Sequence, residues 1–241
     1  MTQIKINQNP EWPYFQWTSA SLLESLSHVR FQQGWLQAKQ EELHPSEQKI
    51  NPKQLFNTNQ LSADQTQFIN WWENTPTALD PVIRAGIAFL WIYLITEELT
   101  FATNAVELSL QKDNFFLFSK IKFHKKLLAQ TKYLEESINK CHNSKSDITT
   151  WLEFFIKNLS ENFIETKNIL QKISWANLNP RQKYVVSLLI NDQQSFLTNK
   201  KYLELTFTSR ESAKRDLKEL VELEIIHPNS QKGRGVKYIL K

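Results

Sequence analysis

The stretch that decides the fold is Leu79–Ser109, LDPVIRAGIAFLWIYLITEELTFATNAVELS. It begins as buried helices do, with Asp80 in the N-cap position and Pro81 in the first turn, where a missing N–H is tolerated. An apolar run, Ala85–Ile95, follows. A bilayer crossing takes about 20 apolar residues, so this shorter run predicts a core helix. We expect the helix to extend from Pro81 to about Glu98.

The composition is that of a globular and mainly helical chain. Of 241 residues, 41% are hydrophobic, whereas only four are glycine and eight are proline. This scarcity of turn residues favours helices over β architecture. The single cysteine, Cys141, excludes a disulfide within the chain and suits a reducing compartment. The first residues lack an apolar leader, so we expect a cytoplasmic protein that does not enter a membrane.

The residues before this helix divide into an arm, a helix and a connector. Prolines and aromatic residues at 10–17 predict an extended arm held by its aromatic rings, because proline does not fit a helix interior. The box Ser21-Leu-Leu-Glu24 predicts the start of a helix. Its apolar face carries Leu22, Leu26, Val29 and Leu36. Arm and helix together occupy residues 1–43, and a polar connector occupies residues 44–64.

Further helices complete a predicted helical core, residues 65–176. One helix runs from about Ala63 to Glu73, before the opening stretch. A later stripe predicts inward positions at Phe118, Ile121, Leu128 and Leu134. Asp147 then caps a long helix with inward positions Trp151, Phe155, Leu159, Phe163, Ile169 and Ile173. His124 and His142 have no neighbours at metal-ligand spacing, so no metal site is predicted.

The C-terminal segment, residues 177–241, concentrates the positive charge. Residues 178–241 contain twelve Lys or Arg residues and seven Asp or Glu residues, a net charge of +5, whereas the rest of the chain has a net charge of −1. Pro180 opens one helix, Thr198 caps a second, and Thr208 or Ser209 caps a third. An alternating pattern interrupted by glycines follows and predicts a β-hairpin. Three helices and a hairpin are the pattern of a winged helix-turn-helix.

The basic side chains of this segment are spaced as a DNA-binding face requires. Arg210, Lys214 and Lys218 recur at every fourth position, on one face of the third helix, whose N-terminal turn would enter a major groove. The residues expected to contact DNA are Ser209, Arg210, Lys214, Arg215, Lys218, Lys200, Lys201, Lys232, Arg234 and Lys237. The acidic residues that dilute this charge are Glu211, Asp216, Glu219 and Glu222. Docking to a partner protein or to a second copy of the chain, and a merely solvated basic face, therefore remain alternatives.

Several segments together resemble the Fic (Fido-domain) family, in the type with an N-terminal arm domain of unknown function and a C-terminal winged helix. They are NPEWPYFQWTSASLLESLSHVRFQQGWL, FINWWENTPTALDPVIRAGIAFLWIYLI, SKIKFHKKLLAQTKYLEES, DITTWLEFFIKNL and residues 178–241. The resemblance implies a mainly α fold. A truncated Fic-like helical bundle, residues 65–176, would be followed by a small winged helix-turn-helix domain, residues 177–241.

The catalytic loop of that family is missing. The family's loop, His-Pro-Phe-x-Asp-Gly-Asn-Gly-Arg, supplies a histidine base and a cradle for nucleotide phosphates. Here Thr96 stands in the histidine's place, Glu97 and Glu98 follow, and Leu99–Asn104 replace the rest. No residue there can act as the base in the histidine's manner, no glycine lets the backbone approach a phosphate, and two carboxylates would repel a triphosphate. Residues 44–64 are also too few to hold the family's substrate-docking flap.

The sequence thus predicts a non-catalytic Fic-like protein with a DNA-binding winged helix. It would be a transcriptional regulator or the remnant of a Fic protein, with DNA as its partner and with no catalytic residue, cofactor or metal. Fic-type AMP transfer is expected to be lost along with its motif. Two alternatives stay open: a protein adenylyltransferase, which moves AMP from ATP to a protein hydroxyl, and a decayed gene product without a function.

Overall fold

The computed structural model describes residues 13–43, 51–56, 60–115, 118, 120–142, 146–175, 177–190, 194–229 and 236–241. Its α-helices are α1 (Ser19–Leu43), α2 (Ala63–Asn74), α3 (Pro81–Thr96), α4 (Leu99–Gln111), α5 (Lys120–Ala129), α6 (Thr131–His142), α7 (Thr149–Trp175), α8 (Pro180–Ile190), α9 (Asn199–Thr206) and α10 (Arg210–Glu222). A 3-10 helix, Pro52–Phe56, precedes α2, and strands β1 (Ile226–Pro228) and β2 (Tyr238–Leu240) follow α10. The fold is mainly α, as the sequence predicts.

Helix α3 lies at the centre of the helical body. Asp80 accepts hydrogen bonds from the backbone N–H groups of Val82 (2.8 Å) and Ile83 (3.3 Å), so the predicted cap is confirmed. Twelve of the sixteen residues of α3 are buried, and α2, α4 and α7 pack against them. A helix that is apolar on all sides must be enclosed by others. No helix in the described part of the chain combines the length and the apolarity that a bilayer crossing requires.

Aromatic rings fill the contacts between α3 and its neighbours. Phe89 stacks on Trp151 of α7, with ring centroids 4.9 Å apart. Trp91 contacts Trp71 of α2 at 5.4 Å and, edge-on, Phe15 of the arm at 6.1 Å. The prediction that aromatic rings hold the arm is therefore confirmed for Phe15, whereas Pro10 and Trp12 fall outside the described residues.

The backbone of the arm is joined to the start of α7. The Gln16 N–H donates to the Ser146 carbonyl (3.0 Å), and the Ile148 N–H donates to the Gln16 carbonyl (2.8 Å). Helix α1 then begins at Ser19. The prediction that a Ser21–Glu24 box starts this helix is wrong, because the Ser21 N–H already donates to the Thr18 carbonyl (3.1 Å) as part of the first turn.

Two other expectations about the helical body need correction. Part of the predicted connector belongs to the core, since Leu55 and Phe56 of the 3-10 helix are buried. Leu128, predicted to point inward, is 60% exposed, whereas Leu127 is fully buried. The reason is that Phe123 and Leu127, four positions apart, form the buried face of α5, and Leu128 lies about 100° farther around the helix.

The C-terminal helices and strands follow the predicted order. Thr198 caps α9 through a hydrogen bond from the Lys201 N–H, and Ser209 caps α10 through one from the Ser212 N–H. Strands β1 and β2 are antiparallel, with Ile226 opposite Leu240. Leu197 exchanges two backbone hydrogen bonds of 2.8 Å with Tyr238 and so lies beside β2 as a one-residue third strand.

Gly86 allows α3 to approach α7 closely. A methyl group at this position would lie 2.8 Å from Leu152 Cδ2 and 3.0 Å from Phe155 Cδ1. The Trp151 Nε1–H also donates to the Gly86 carbonyl at 2.9 Å. We therefore expect Gly86→Ala to lower the free energy of unfolding, measured by urea denaturation, by about 1–3 kcal/mol, because a packed core tolerates extra volume poorly.

Gly34 of α1 is the matched control for this substitution. No atom lies within 4 Å of the place that its methyl group would take. Gly34→Ala should therefore raise the free energy of unfolding by about 0.5–1 kcal/mol, since alanine loses less backbone entropy in a helix. A similar gain in stability from both substitutions would contradict the close contact at Gly86.

Candidate nucleic-acid interface

One buried carboxylate joins the three C-terminal helices. Asp216 of α10 is 1% exposed. It accepts hydrogen bonds from the hydroxyl of Tyr202 on α9 (2.9 Å), from Nε of Arg181 on α8 (3.1 Å) and from Nδ2 of Asn179 (3.1 Å). The prediction that Asp216 dilutes the surface charge is wrong, because its carboxylate lies inside the bundle and binds the other two helices.

The partners of Asp216 are held in the protonation states that this network needs. Burial raises the pKa of the Tyr202 hydroxyl, and the Asp216 carboxylate that accepts its proton raises it further. The raised pKa therefore keeps the hydroxyl protonated, and able to donate, to a higher pH than that of an ordinary tyrosine. Asp216 also raises the pKa of the Arg181 guanidinium, which hydrogen bonds to it. At the start of α8, the Asn179 backbone N–H donates to the Gln182 side-chain oxygen (2.9 Å), and the Gln182 backbone N–H donates to the Asn179 side-chain oxygen (3.0 Å).

This network turns the basic face of α10 outward. The buried residues of α10 are Ala213, Asp216, Leu217 and Leu220. The predicted contact residues on this helix and at its cap are all exposed: Ser209, Arg210, Lys214, Arg215 and Lys218. Lys218 pairs with Glu222 at 3.3 Å. Within the described residues, no ion pair forms at Arg210, Lys214 or Arg215, so the positive charge is greatest over the first two turns.

Two more of the predicted basic residues have their ammonium groups over the same aromatic ring. The Lys201 ammonium of α9 lies 4.9 Å from the centroid of Phe196, and that of Lys237, next to β2, lies 4.4 Å from it. The ring thereby brings together cations from a helix and from the hairpin, which are 36 positions apart in the chain. Such contacts orient the aliphatic stems and leave an ammonium able to meet an anion.

The remaining predicted contact residues are Lys200, Ser209, Lys232 and Arg234. Lys200 is exposed and pairs with Glu204 at 3.8 Å, a surface pair of little energetic weight. The Ser209 hydroxyl accepts from the Ser212 N–H (3.2 Å), so its first role is that of the helix cap. Lys232 and Arg234 fall outside the described residues, as do Gly233 and Gly235.

Phe207 is a residue at this surface that the sequence pattern did not single out. It is the C-cap of α9 and has left-handed backbone angles, φ 49° and ψ 41°. Its side chain is 95% exposed. Because an apolar residue in a sequence usually indicates a core position, the hydrophobic pattern does not reveal an exposed residue such as Phe207. One feature of the sequence could have indicated it: an aromatic residue stands in the turn between two predicted helices. Glycine or asparagine is the usual residue where such a turn takes the left-handed conformation.

The end of α3 is the second region that the sequence singled out. The Thr96 hydroxyl donates to the Ile92 carbonyl (2.7 Å) and accepts from the Glu98 N–H (3.2 Å). Glu97 adopts a left-handed conformation with φ 57°, and α4 begins at Leu99. The turn between the two helices therefore consists of Glu97 and Glu98 alone, and Leu99–Asn104 form the first turns of α4.

A cavity of about 380 Å³ opens beside this turn. Its lining residues are Tyr93, Leu94, Glu97, Glu135, Ile138, Asn139 and His142. Burial raises the pKa of the Tyr93 hydroxyl, and the negative charges of Glu135 and Glu97 raise it further. The cavity is thus an unfavourable place for an anion. Among the described residues, no cluster of three or more His, Cys, Asp or Glu side chains could hold a metal ion.

Comparison with known proteins finds a similarity over the N-terminal quarter of the chain. Residues 6–65 match a family described as Domain of unknown function (DUF4172). The matched range contains the arm, α1 and the first residues of α2, and it ends before α3. No curated protein is similar enough to the chain to count as a match.

Proposed function

We propose that this chain is a non-catalytic, Fic-like transcriptional regulator whose residues 177–241 form a DNA-binding winged helix-turn-helix. The observation that carries the proposal is the exposed basic face of α10. Arg210 and Lys214 stand on its first two turns, while Asp216, on the opposite side, binds α8 and α9. A basic helix held rigidly with its N-terminal turn exposed suits a major groove.

The order of the C-terminal elements supports the winged-helix part of the proposal. Helices α8, α9 and α10 are followed by the β1–β2 pair, and Leu197, which lies between α8 and α9, adds its backbone to β2. Lys237 at the base of the hairpin lies over the same ring as Lys201. In this proposal α10 is the reading helix, and Lys237, together with Lys232 and Arg234 from the sequence between β1 and β2, contacts phosphates.

The end of α3 supports the non-catalytic part. Fic-type AMP transfer needs a histidine base and a glycine-rich phosphate cradle at this point of the chain. Here the turn holds only Glu97 and Glu98, and the Thr96 hydroxyl is engaged with backbone groups. A triphosphate in the adjoining cavity would meet the carboxylates of Glu97 and Glu135 beside Tyr93. We therefore assign no nucleotide, metal or catalytic residue to this region, and the adenylyltransferase alternative is disfavoured.

The Fic-like assignment itself rests on the resemblance of several segments. The match of residues 6–65 to a domain of unknown function does not conflict with it, since the resemblance implies an arm domain of unknown function at this place. In this proposal the helical body serves as a scaffold for dimerisation or for sensing a signal. Its buried aromatic core, around Trp91 and Trp151, gives it the packing of a retained structure.

A binding experiment tests the proposal directly. The purified full chain is titrated against a fluorescent duplex from upstream of its own gene, and against a scrambled duplex, over a series of salt concentrations. We expect selective binding whose log K falls against log salt by about 0.9 for each phosphate contacted. No binding at low salt by a chain that melts cooperatively would favour protein docking instead. A chain without a cooperative melt would support the decayed remnant.

A further inference from the structure

We infer that Phe207 contacts DNA bases directly and that its ring reads the 5-methyl group of thymine. The inference rests on the proposed function and adds a reader outside the basic residues of α10. Two observations single the residue out. Its side chain is 95% exposed, and its backbone has the positive φ of 49° that bulky residues rarely adopt.

The backbone conformation of Phe207 is imposed by the turn, but the phenyl ring is not. The Phe207 N–H donates to the Leu203 carbonyl (2.9 Å), which closes the last turn of α9. Ser209 caps the next helix two positions later, so the chain must reverse here through a left-handed residue. Glycine or asparagine would make this turn at lower cost. Because the ring is almost wholly exposed, it adds little to the packing of the fold and is available to contact a partner.

The surroundings of Phe207 favour DNA over a second copy of the chain as its partner. Phe207 follows the C-terminal end of α9 and stands two positions before Ser209, the cap of α10, whose first residue is the exposed Arg210. Residues 178–241 carry a net charge of +5, so two copies of this surface repel each other while a phosphate backbone attracts it. A phenyl ring that enters beside a reading helix can contact one apolar feature of the major groove, the thymine methyl group.

Phe207→Gly separates this role from stability. Glycine accepts a positive φ without strain, so the variant should melt about 1–4 °C above the unsubstituted chain. Its DNA binding should nevertheless become about three- to tenfold weaker, because the ring is gone. A loss of binding together with a gain in melting temperature cannot be attributed to unfolding.

The experiment uses the duplex that the full chain itself selects from a pool with randomised centres, prepared once with thymine and once with uracil. The unsubstituted chain should bind the uracil form about three- to tenfold more weakly. Phe207→Gly should bind both forms alike. The control is Leu223→Ala, which shortens an exposed apolar residue at the far end of α10 and should keep both the affinity and the preference for thymine.

The outcomes separate this inference from the proposed function. If the unsubstituted chain binds no duplex, both fail together. If it binds and Phe207→Gly keeps its full affinity and its thymine preference, only the inference about Phe207 is overturned. Equal weakening of both duplex forms by the variant would overturn the thymine contact. Lost self-association with unchanged DNA binding would assign the ring to a second copy of the chain and overturn the inference as well.

Discussion

Asp216→Ala should lower the free energy of unfolding of the full chain by about 2–4 kcal/mol. The carboxylate is 1% exposed and accepts bonds from Asn179, Arg181 and Tyr202. Alanine leaves the Tyr202 hydroxyl buried without this acceptor, while the half-exposed Arg181 can turn to water. Urea denaturation followed by fluorescence measures the change, and circular dichroism of the folded variant verifies its helix content.

Glu222→Ala provides the comparison on the same helix. Glu222 is exposed and pairs only at the surface, with Lys218 at 3.3 Å, so its loss should change the free energy of unfolding by less than about 0.5 kcal/mol. Equal destabilisation by the two substitutions would mean that the Asp216 network contributes no net stability. The rigid presentation of α10 would then need another cause.

Reversing both charges in Arg210→Glu/Lys214→Glu should weaken DNA binding by about 100-fold or more at low salt. Both side chains are exposed on the first two turns of α10, away from Asp216. Each removed phosphate contact should also reduce the steepness of the log K against log salt plot by about one. Fluorescence anisotropy with the duplex selected by the full chain measures both quantities.

A matched double reversal controls for net charge. Lys132 and Lys140 are exposed on α6, in the helical body. Lys132→Glu/Lys140→Glu changes the charge of the protein by the same amount and should weaken binding only through this long-range effect, by less than about tenfold. If the α10 reversal is no more harmful than the α6 reversal, α10 is not the reading helix.

Local chemistry accounts for the parts of the fold that the sequence predicts well. Asp80 with Pro81, Thr198 and Ser209 are caps whose hydrogen bonds form within the next turn, so neighbours in the chain suffice to find them. The apolar spacing of α7 likewise places Trp151, Phe155 and Leu159 inward, where they are buried. A periodic pattern is a property of one helix and needs no knowledge of its partners.

The parts that the sequence does not predict depend on contacts between distant residues. Asp216 looks like one more surface charge among the lysines and glutamates of α10, and only the approach of Tyr202 and Arg181 makes it a buried centre. Leu127 and Leu128 are equally apolar neighbours, and the packing of α5 against α4 and α7 decides which of them is buried. The exposure of Phe207 follows from the path of two helices, which no local pattern of hydrophobicity encodes.

The enclosure of α3 has a consequence for the nascent protein. Its twelve buried residues need α4 and α7 as neighbours, but only α4 follows at once, after the turn of Glu97 and Glu98. Helix α7 begins at Thr149, and at typical synthesis rates of about 5–20 residues per second it leaves the ribosome several seconds later. During that interval the α3–α4 hairpin exposes the face around Phe89 that Trp151 will cover. During translation the most apolar helix of this chain is therefore covered only in part until α7 has been made, and exposed apolar surface of this kind is what chaperones bind.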